Sequence, residues 1–348
     1  MAEDVIGSAG GPEYEAPSMK GRDAQGELFE LPPQKLAVAP SAETHRELAA
    51  RLPPGIRLGT MSWSYPGWKN VVYAGEGSTK ELSERGLTAY VEHPLLGAVE
   101  IDRSYYDPLP AEAYRRYAEQ VPDDFRFLVK AHEDAVVRRF PLHARYGKKR
   151  GASNARYLDA SYVTEALVGP LFEGLGGKLG ALLFQFPPEL EFVEPEAFAE
   201  RLERFLSGLP RVARYAVEVR NPELLTSEYA AALVAAGGLH CHNLWTTMPP
   251  LAVQAKLIPP VARSPLIVRW LLRHGDPYGE ASERFKPFDR LAGPDPQNRE
   301  RVADLVARAD AHGVPALVLV DNKAEGCAPL SIVELTRAIV EKRATFSA

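Results

Sequence analysis

"YAVEVR", residues 215–220, is the stretch from which the fold is read. Successive side chains of a strand point to opposite faces, so Val217 and Val219 form one apolar set and Ala216, Glu218 and Arg220 the other. A strand that packs its valines against helices turns Glu218 and Arg220 toward the axis of the sheet. The same division recurs along the chain. In "AVEID" (98–102) Val99 and Ile101 face out and Glu100 and Asp102 in; in "FRFLVK" (125–130) Phe127 and Val129 face out and Lys130 in. "LLFQFPP" (182–188) turns Gln185 inward, "LIVRW" (266–270) turns Arg269 inward, and "VDNK" (320–323) carries Asn322 in register with Val318 and Val320.

These runs belong to the predicted strands Ile56–Ser62, Gly97–Asp102, Phe125–Ala131, Leu179–Phe186, Arg214–Arg220, Leu239–Leu244, Leu266–Leu272 and Ala316–Asn322. Helical patterns lie between them at Thr79–His93, Ala111–Gln120, Tyr162–Leu175, Pro222–Ala236, Gln297–His312 and Leu330–Arg343. The clearest, "EPEAFAERLERFLSGLP", repeats Phe198, Leu202, Phe205 and Leu209 at helical spacing between Pro195 and Gly208. Alternating strands and helices in this number give an α/β fold, a (β/α)8 TIM-like barrel. A doubly wound sheet would open on a glycine-rich turn, where this chain has Gly59-Thr-Met-Ser-Trp. The barrel is expected over 51–343, with insertions near 138–156 and 274–293. A disordered N-terminal tail, rich in Gly, Pro, Ser, Ala and charge, is expected over 1–50.

The 348 residues carry a net charge of −5, so a polycation built for nucleic acid is excluded and any such binding needs a local basic patch. Cys241 and Cys327 are far apart and form no CxxC pair, which favours a reducing compartment. No apolar run is long enough to span a bilayer, and Met1–Gly10 lacks a signal-peptide core. A cytoplasmic location and no membrane partner are therefore expected.

A barrel interior is normally filled with branched apolar side chains, and an unpaired buried charge is costly. The inward charged set must therefore meet and pair at the carboxyl ends of the strands, where barrel active sites lie. The expected pocket uses Glu218 or Asp102 as general base, with Lys130 as a catalytic partner. Gln185, Arg220, Arg269, His274 and Asn322 are expected to bind substrate, the arginines clamping a phosphate or carboxylate. Lys130 is expected to pair with Glu100 or Glu218; its alternative use is a Schiff base with a carbonyl substrate, including the opened sugar of an abasic site. The loop "GTMSWSYPGWKNVVY" (59–73) shows no period, which places its rings on the rim of that pocket. Trp63 and Tyr65 are expected to stack on a planar ligand, and Trp68 and Tyr73 to plug the space beneath.

"GTMSWSYPGWKNVVY", "VEIDRSYYD", "FRFLVKAH", "LLFQFPP", "AVEVRNPEL", "VRWLLRHG" and "VDNKAEGCAPL" together resemble, in order, the pattern of the YecE-like family, domain-of-unknown-function family 72. The resemblance covers most of 56–343 and implies a TIM barrel with a polar mouth and no established reaction. It also brings a fold-level likeness to the barrel of endonuclease IV, by analogy only. The family's strand-two pattern ends in Asn where this chain has Asp102. Its strand-seven pattern is Arg-x-His-Gly, whereas extra residues here separate Arg269 from His274-Gly275, and its final Asn-Asn is Asp321-Asn322.

Several chemistries compete for this pocket. "LHCHN" (239–243) puts His240 and His242 on one strand face, and His242 with Glu218 and Asp102 would suffice for one metal ion; the other histidines are scattered, so no metal and no cofactor is assigned. There is no nucleophile elbow, Walker loop or Cys/His dyad. "RRFPLHARYGKKRGASNAR" (138–156) carries Arg138, Arg139, Arg145, Lys148, Lys149, Arg150 and Arg156 with no acid, and Lys148, Lys149 and Arg150 are the expected nucleic-acid contacts. In the tail, "QGELF" resembles the bacterial sliding-clamp-binding peptide through Gln25, Leu28 and Phe29, which makes a clamp an expected partner. The leading expectation is an enzyme acting on a phosphorylated or nucleic-acid-derived substrate at the barrel mouth. The alternatives are a metal-independent small-metabolite lyase, hydrolase or isomerase, and a non-catalytic nucleic-acid or clamp-recruited binding module.

Overall fold

A computed structural model describes residues 36–188, 193–260, 264–273, 276 and 278–346. Parallel strands close into one barrel in the order β1-β2-β3-β4-β5-β6-β7-β8. They are β1 Ile56–Thr60, β2 Ala98–Ile101, β3 Arg126–Lys130, β4 Leu179–Gln185, β5 Tyr215–Glu218, β6 Leu239–Leu244, β7 Leu266–Trp270 and β8 Ala316–Val320. Each predicted strand is present, and all but β6 are shorter than expected by one to three residues. The excess falls mainly at the carboxyl ends, where the ladder gives way to the loops that build the mouth.

Local chemistry sets the helices. Pro195 opens Pro195–Ser207, and Phe198, Leu202 and Phe205 are its buried face, with the Phe205 ring 5.0 Å from that of Phe184 on β4. Asp295 caps Pro296–Ala311 by accepting from Asn298 N, and Thr226 caps Ser227–Ala236 by accepting from Tyr229 N. The pattern read over Thr79–His93 is two helices, Thr79–Arg85 and Leu87–Tyr90, meeting at Gly86. That over Tyr162–Leu175 starts at Ala160 and contains a π turn, Thr164–Val168, before Pro170, whose missing N–H breaks the regular ladder. Leu251–Leu257 and Tyr278–Phe285 were not anticipated; the second lies inside the expected insertion at 274–293.

The chain already packs against the barrel before the expected boundary at residue 51. Residues 36–50 form a 3-10 turn, Pro40–His45, and a helix, Arg46–Ala50, against the barrel. Ala39 N donates to Val72 O, Ser41 Oγ donates to Asn70 O, and Ala39 and Ala42 are buried. Small side chains let this segment lie flat, which is why composition alone made it look like tail. Gln25, Leu28 and Phe29 lie outside the described residues.

Two seams depend on glycine. A Cβ on Gly59 would overlap the Ala98 carbonyl oxygen, and one on Gly67 would overlap that of Pro287, where the first and seventh loops meet. At the first of these seams the Tyr90 hydroxyl completes the sheet. It receives Thr60 N at 3.1 Å, lies 2.8 Å from Thr60 Oγ1 and donates to Ala98 O at 2.9 Å. The Tyr90→Phe variant leaves buried groups of β1 and β2 unsatisfied and is expected to lose about 1–3 kcal/mol of stability by urea unfolding. A loss within the error of the urea extrapolation would show that the seam closes without the hydroxyl.

Candidate functional site at the barrel mouth

Register carries the inward set up the barrel. Glu100 lies beside Leu128, Lys130 beside Leu183, Gln185 beside Glu218, and Arg269 beside Asn243 and Leu319. Apolar residues therefore floor the site, and the charged residues form its upper layers.

Arg269 is the centre of the lower layer. Its Nε and Nη2 donate to the two oxygens of Glu100, each at 2.9 Å, and its Nη1 donates to Glu218 and, at 3.2 Å, to Gln185 Oε1. Arg220 completes the group, with Nε 2.9 Å from Glu218 Oε1 and Nη2 2.9 Å from Gln185 Oε1. The Arg220 guanidinium also stacks on Trp245, 3.8 Å from the ring centroid. All these side chains except the stacking Trp245 were expected at the site, and the structure brings them together. Both oxygens of Glu218 are engaged by arginines, and Glu218 is fully buried.

The upper layer is a separate pair. Lys130 Nζ lies 2.8 Å from Asp102 Oδ1 and 4.2 Å from the centroid of the Tyr105 ring. The expectation that Lys130 pairs with Glu100 or Glu218 is thus corrected: Arg269 and Arg220 already saturate those carboxylates. The Asp102 side chain is 30% exposed, against 3% for Lys130. Beside it, Lys323 Nζ approaches Asp321 Oδ1 at 3.0 Å.

Burial and charge act on the carboxylates differently. Burial pushes Asp102 up, but Lys130, with Arg269 and Lys323 behind it, more than offsets this and holds it below its ordinary value. Burial likewise pushes Glu218 up, and Arg269 and Arg220 outweigh it, so Glu218 is also lowered. Glu100 has Arg269 as its one bonded cation, and there burial wins, raising it to about 7.

Other expected site residues lie elsewhere. Asn322 does not face the axis. The chain turns into a helical segment, Asn322–Glu325, and its Oδ1 accepts from Trp68 Nε1 at 3.2 Å and Ala328 N at 2.8 Å. Asp321, two residues beyond the inward Leu319, is the mouth residue of β8; extending that alternation by one step would have found it. Trp63 is buried under its loop, with Nε1 donating to Leu82 O at 3.0 Å and its ring edge-on to Tyr117. Trp68 and Tyr73 are buried as expected. Tyr65 packs between Trp68 and Phe288, at 5.0 and 5.6 Å between centroids. His274 lies outside the described residues.

His242 pairs in register with the outward Val268 and sits beside His240, which meets Tyr229 and Gln254, so it is on the opposite face from Glu218. It cannot join Glu218 and Asp102 around one ion, and no group of three or more His, Cys, Asp or Glu side chains that could hold a metal ion occurs among the described residues.

The basic loop follows β3 and is joined to the mouth through aromatic rings. Arg145 lies over Tyr106, whose ring meets that of Tyr105, the ring carrying Lys130. Its acid-free sequence does not leave it unbalanced. Arg145 pairs with Glu133 at 2.6 Å, while Arg156 and Lys149 approach Asp134 at 3.1 and 3.7 Å. Lys148 and Arg150 are exposed.

A family model described as "Protein of unknown function DUF72" matches residues 57–348. The chain is 31% identical over 113 residues to the UPF0759 protein YunF of Bacillus subtilis (strain 168), an alignment that spans 31% of this chain and 34% of that relative. Among solved structures it is similar to a DUF72 family protein from Enterococcus faecalis V583, with TM-score 0.57 and 18% identity over 82% of this chain and 95% of the other. A DUF72 family protein from Thermotoga maritima MSB8 aligns with TM-score 0.52 and 17% identity, over 84% of this chain and 99% of the other. At these identities the structures show the shared fold alone.

The lower layer predicts two opposite pH signatures. Glu218→Gln leaves Arg269 and Arg220 short of a buried charge and is expected to cost about 3–5 kcal/mol at neutral pH. Because the folded-state value of Glu218 is lowered, that contribution is present above the ordinary carboxylate value and closes as pH falls through the folded one. Glu100 is raised, so its contribution is present at low pH and is lost as pH rises toward about 7. Urea unfolding from pH 2 to 8 should show the wild-type advantage over Glu218→Gln constant at neutral pH and falling only below the ordinary carboxylate value, and that over Glu100→Gln shrinking as pH rises from that value toward about 7. Parallel trends for the two variants would contradict the assignment.

Proposed function

The chain belongs to DUF72, a family of unknown function, and from that premise we propose that it is an enzyme acting at the carboxyl mouth of its barrel on a phosphorylated or nucleic-acid-derived substrate. The observation that carries the reading is the Asp102–Lys130 pair. Its half-buried carboxylate, 30% exposed, is more accessible than those of Asp321, Glu218 and Glu100, and it stands above a lower layer whose acids and arginines satisfy one another. A carboxylate held below its ordinary value by an adjacent cation is ionised at neutral pH, the charge state a general base needs.

In this reading Asp102 takes the substrate proton and Lys130 stabilises the negative charge that develops beside it. Arg220, held flat on Trp245 and anchored by Glu218 and Gln185, presents a fixed guanidinium to an anionic group. Glu218 and Arg269 are positioning residues. They hold Arg220 and Gln185 and touch no substrate. The basic loop supports an extended or nucleic-acid-derived substrate, because Lys148 and Arg150 stand exposed on a loop connected to Lys130 through Arg145, Tyr106 and Tyr105. A clamp contact through Gln25, Leu28 and Phe29 is compatible with such a role.

Fluorescence anisotropy of labelled single-stranded, duplex and abasic-site DNA, followed across a salt series, tests this. Binding that weakens by about 0.7 in log K per log salt for each phosphate contacted on a single strand is expected. The Lys148→Glu, Lys149→Glu, Arg150→Glu triple variant should lose it. Asp102→Asn should retain binding and abolish turnover of whichever nucleic acid is processed. Absence of binding even at low salt would sink the nucleic-acid arm and turn the search to small phosphorylated metabolites. Binding with turnover unaffected by Asp102→Asn would overturn the catalytic assignment.

A further inference from the structure

Two histidines meet beneath the segment 36–50 and take no part in the chemistry of the mouth. His45 ends the turn Pro40–His45, and its ring lies 5.6 Å from that of His93, in the connection that leads into β2. His93 is 2% exposed, and His45 is half-buried. His93 Nδ1 accepts from Leu95 N at 3.3 Å, so this nitrogen carries a lone pair in the packed structure. A proton placed there sets two donors against each other and breaks that bond. Both rings line a cavity of about 110 Å³ with Ser41, Asn70, Leu330 and Val333. A second cavity, of about 280 Å³, has His45, Arg51, Arg337 and Glu341 in its wall. The segment is thus underlain by open space as well as by contacts.

What fastens the segment is backbone bonding to the first mouth loop. Ala39 N donates to Val72 O at 2.8 Å, Ala74 N donates to Ala37 O at 2.9 Å, and Ser41 Oγ donates to Asn70 O at 2.8 Å. The buried side chains are the small ones of Ala39 and Ala42, so lifting the segment exposes little apolar surface. Among the described residues, the one titratable group that acts on His93 is His45. Burial first, and then His45, push the His93 imidazole down to about 4. His45 is itself lowered, by burial and then by Arg337, against Glu334. Arg337 and Glu334, both on the helix Ala328–Phe346, pair with each other. Beside His45 in the chain, Glu43 and Arg46 pair at 2.6 Å, and Glu47 is exposed. No carboxylate therefore stands against His93 to hold a proton on it.

We propose that the His45–His93 contact is an acid-sensitive latch, in which protonation of His93 releases residues 36–50 from the barrel and loosens one rim of the mouth. The His93 imidazolium is hydrated only when the segment lifts, so each proton taken up favours the lifted form. Its folded-state value is depressed, which fixes the sign. The latch is at full strength above the ordinary imidazole value. It weakens as pH falls from there to about 4, where the packed ring also takes its proton. Lifting the segment removes the partners of Asn70, Val72 and Ala74, on the loop that carries Tyr65 and Trp68. Trp68 keeps its bond to Asn322, and the Tyr73 hydroxyl its bond to Trp63 O, so the loop loosens without unfolding. The device acts whatever the mouth binds.

Hydrogen exchange of the full chain, corrected for intrinsic rates and followed at the Ala39 and Ala74 amides, tests the latch. Between pH 7.5 and pH 5 the opening equilibrium at both amides should rise about 25-fold, the linkage expected for one imidazole depressed from its ordinary value to about 4. The Leu182 amide, bonded to Arg214 O inside the barrel, should show no such rise. His93→Gln should flatten the pH dependence at Ala39 and Ala74. A second variant keeps the test open if that one fails to fold. His45→Ala removes the imidazole that depresses His93, so NMR should show the His93 titration midpoint raised and the acceleration at pH 5 reduced. Exchange at Ala39 and Ala74 that is the same at both pH values overturns the latch. So does an equal acceleration at Leu182, which would be loosening of the whole barrel, or an acceleration that survives His93→Gln.

Discussion

The guanidinium of Arg269, in the middle of a closed barrel, is the constraint around which the rest of the mouth is arranged. Removing such a group from water costs several kcal/mol unless its donors and its charge are met on all sides. Arg269 is met from three other strands: Glu100 on β2, Gln185 on β4 and Glu218 on β5. Each partner is a residue on the inner face of its strand, so the pairing works only if every register is right. A one-residue slip in β2 or β5 would turn a carboxylate out among the helices and leave Arg269 buried and uncompensated. Charge pairing across the axis therefore acts as a selector of register, in a place where an apolar core would tolerate more than one packing.

That requirement also separates the mouth into a sealed layer and a reachable one. Glu100, Glu218, Gln185 and Arg269 use nearly all of their hydrogen-bonding capacity on one another, and this makes them poor partners for a substrate and good supports for Arg220. Above them, two positions where this chain departs from the YecE-like pattern are both acidic, Asp102 and Asp321. Each is met by a lysine, at 2.8 Å from Lys130 and at 3.0 Å from Lys323. The departures thus place a carboxylate beside each lysine, so that each of the two pairs is neutral. They convert what would be neutral amide positions into groups that can exchange a proton.

Much of this was legible because strand alternation is a rigid rule. Glu100, Asp102, Lys130, Gln185, Glu218, Arg220 and Arg269 could be placed on one face from their spacing to the valines and phenylalanines beside them. What alternation does not give is where a strand stops. Asn322 was read as a continuation of β8, but the chain turns at Asp321, and the amide spends its oxygen on Trp68 and Ala328. Nor does it give which partner a long side chain chooses. Lys130 was within reach of several acids, and only the saturation of Glu100 and Glu218 by arginine directs it to Asp102. Trp63 shows the limit for loops, where no period exists: an indole N–H that looked ready for a ligand is bound to the Leu82 carbonyl.

The basic loop shows why local composition is an incomplete measure of charge. Read alone, 138–156 is acid-free and strongly positive. In the fold its nearest neighbours are Glu133 and Asp134, in the short turn between Lys130 and the loop itself, and these draw Arg145, Lys149 and Arg156 inward. The pairing does more than cancel charge. It ties the loop down at three points and stacks Arg145 and Arg156 on Tyr146 and Tyr162. Lys148 and Arg150 are then presented from a braced base, and His132 is held between the loop and the strand that carries Lys130. A free polycationic loop would attract any anion weakly and in no fixed place. One anchored through carboxylates and rings loses some of its charge but holds the remainder at a fixed position beside the mouth.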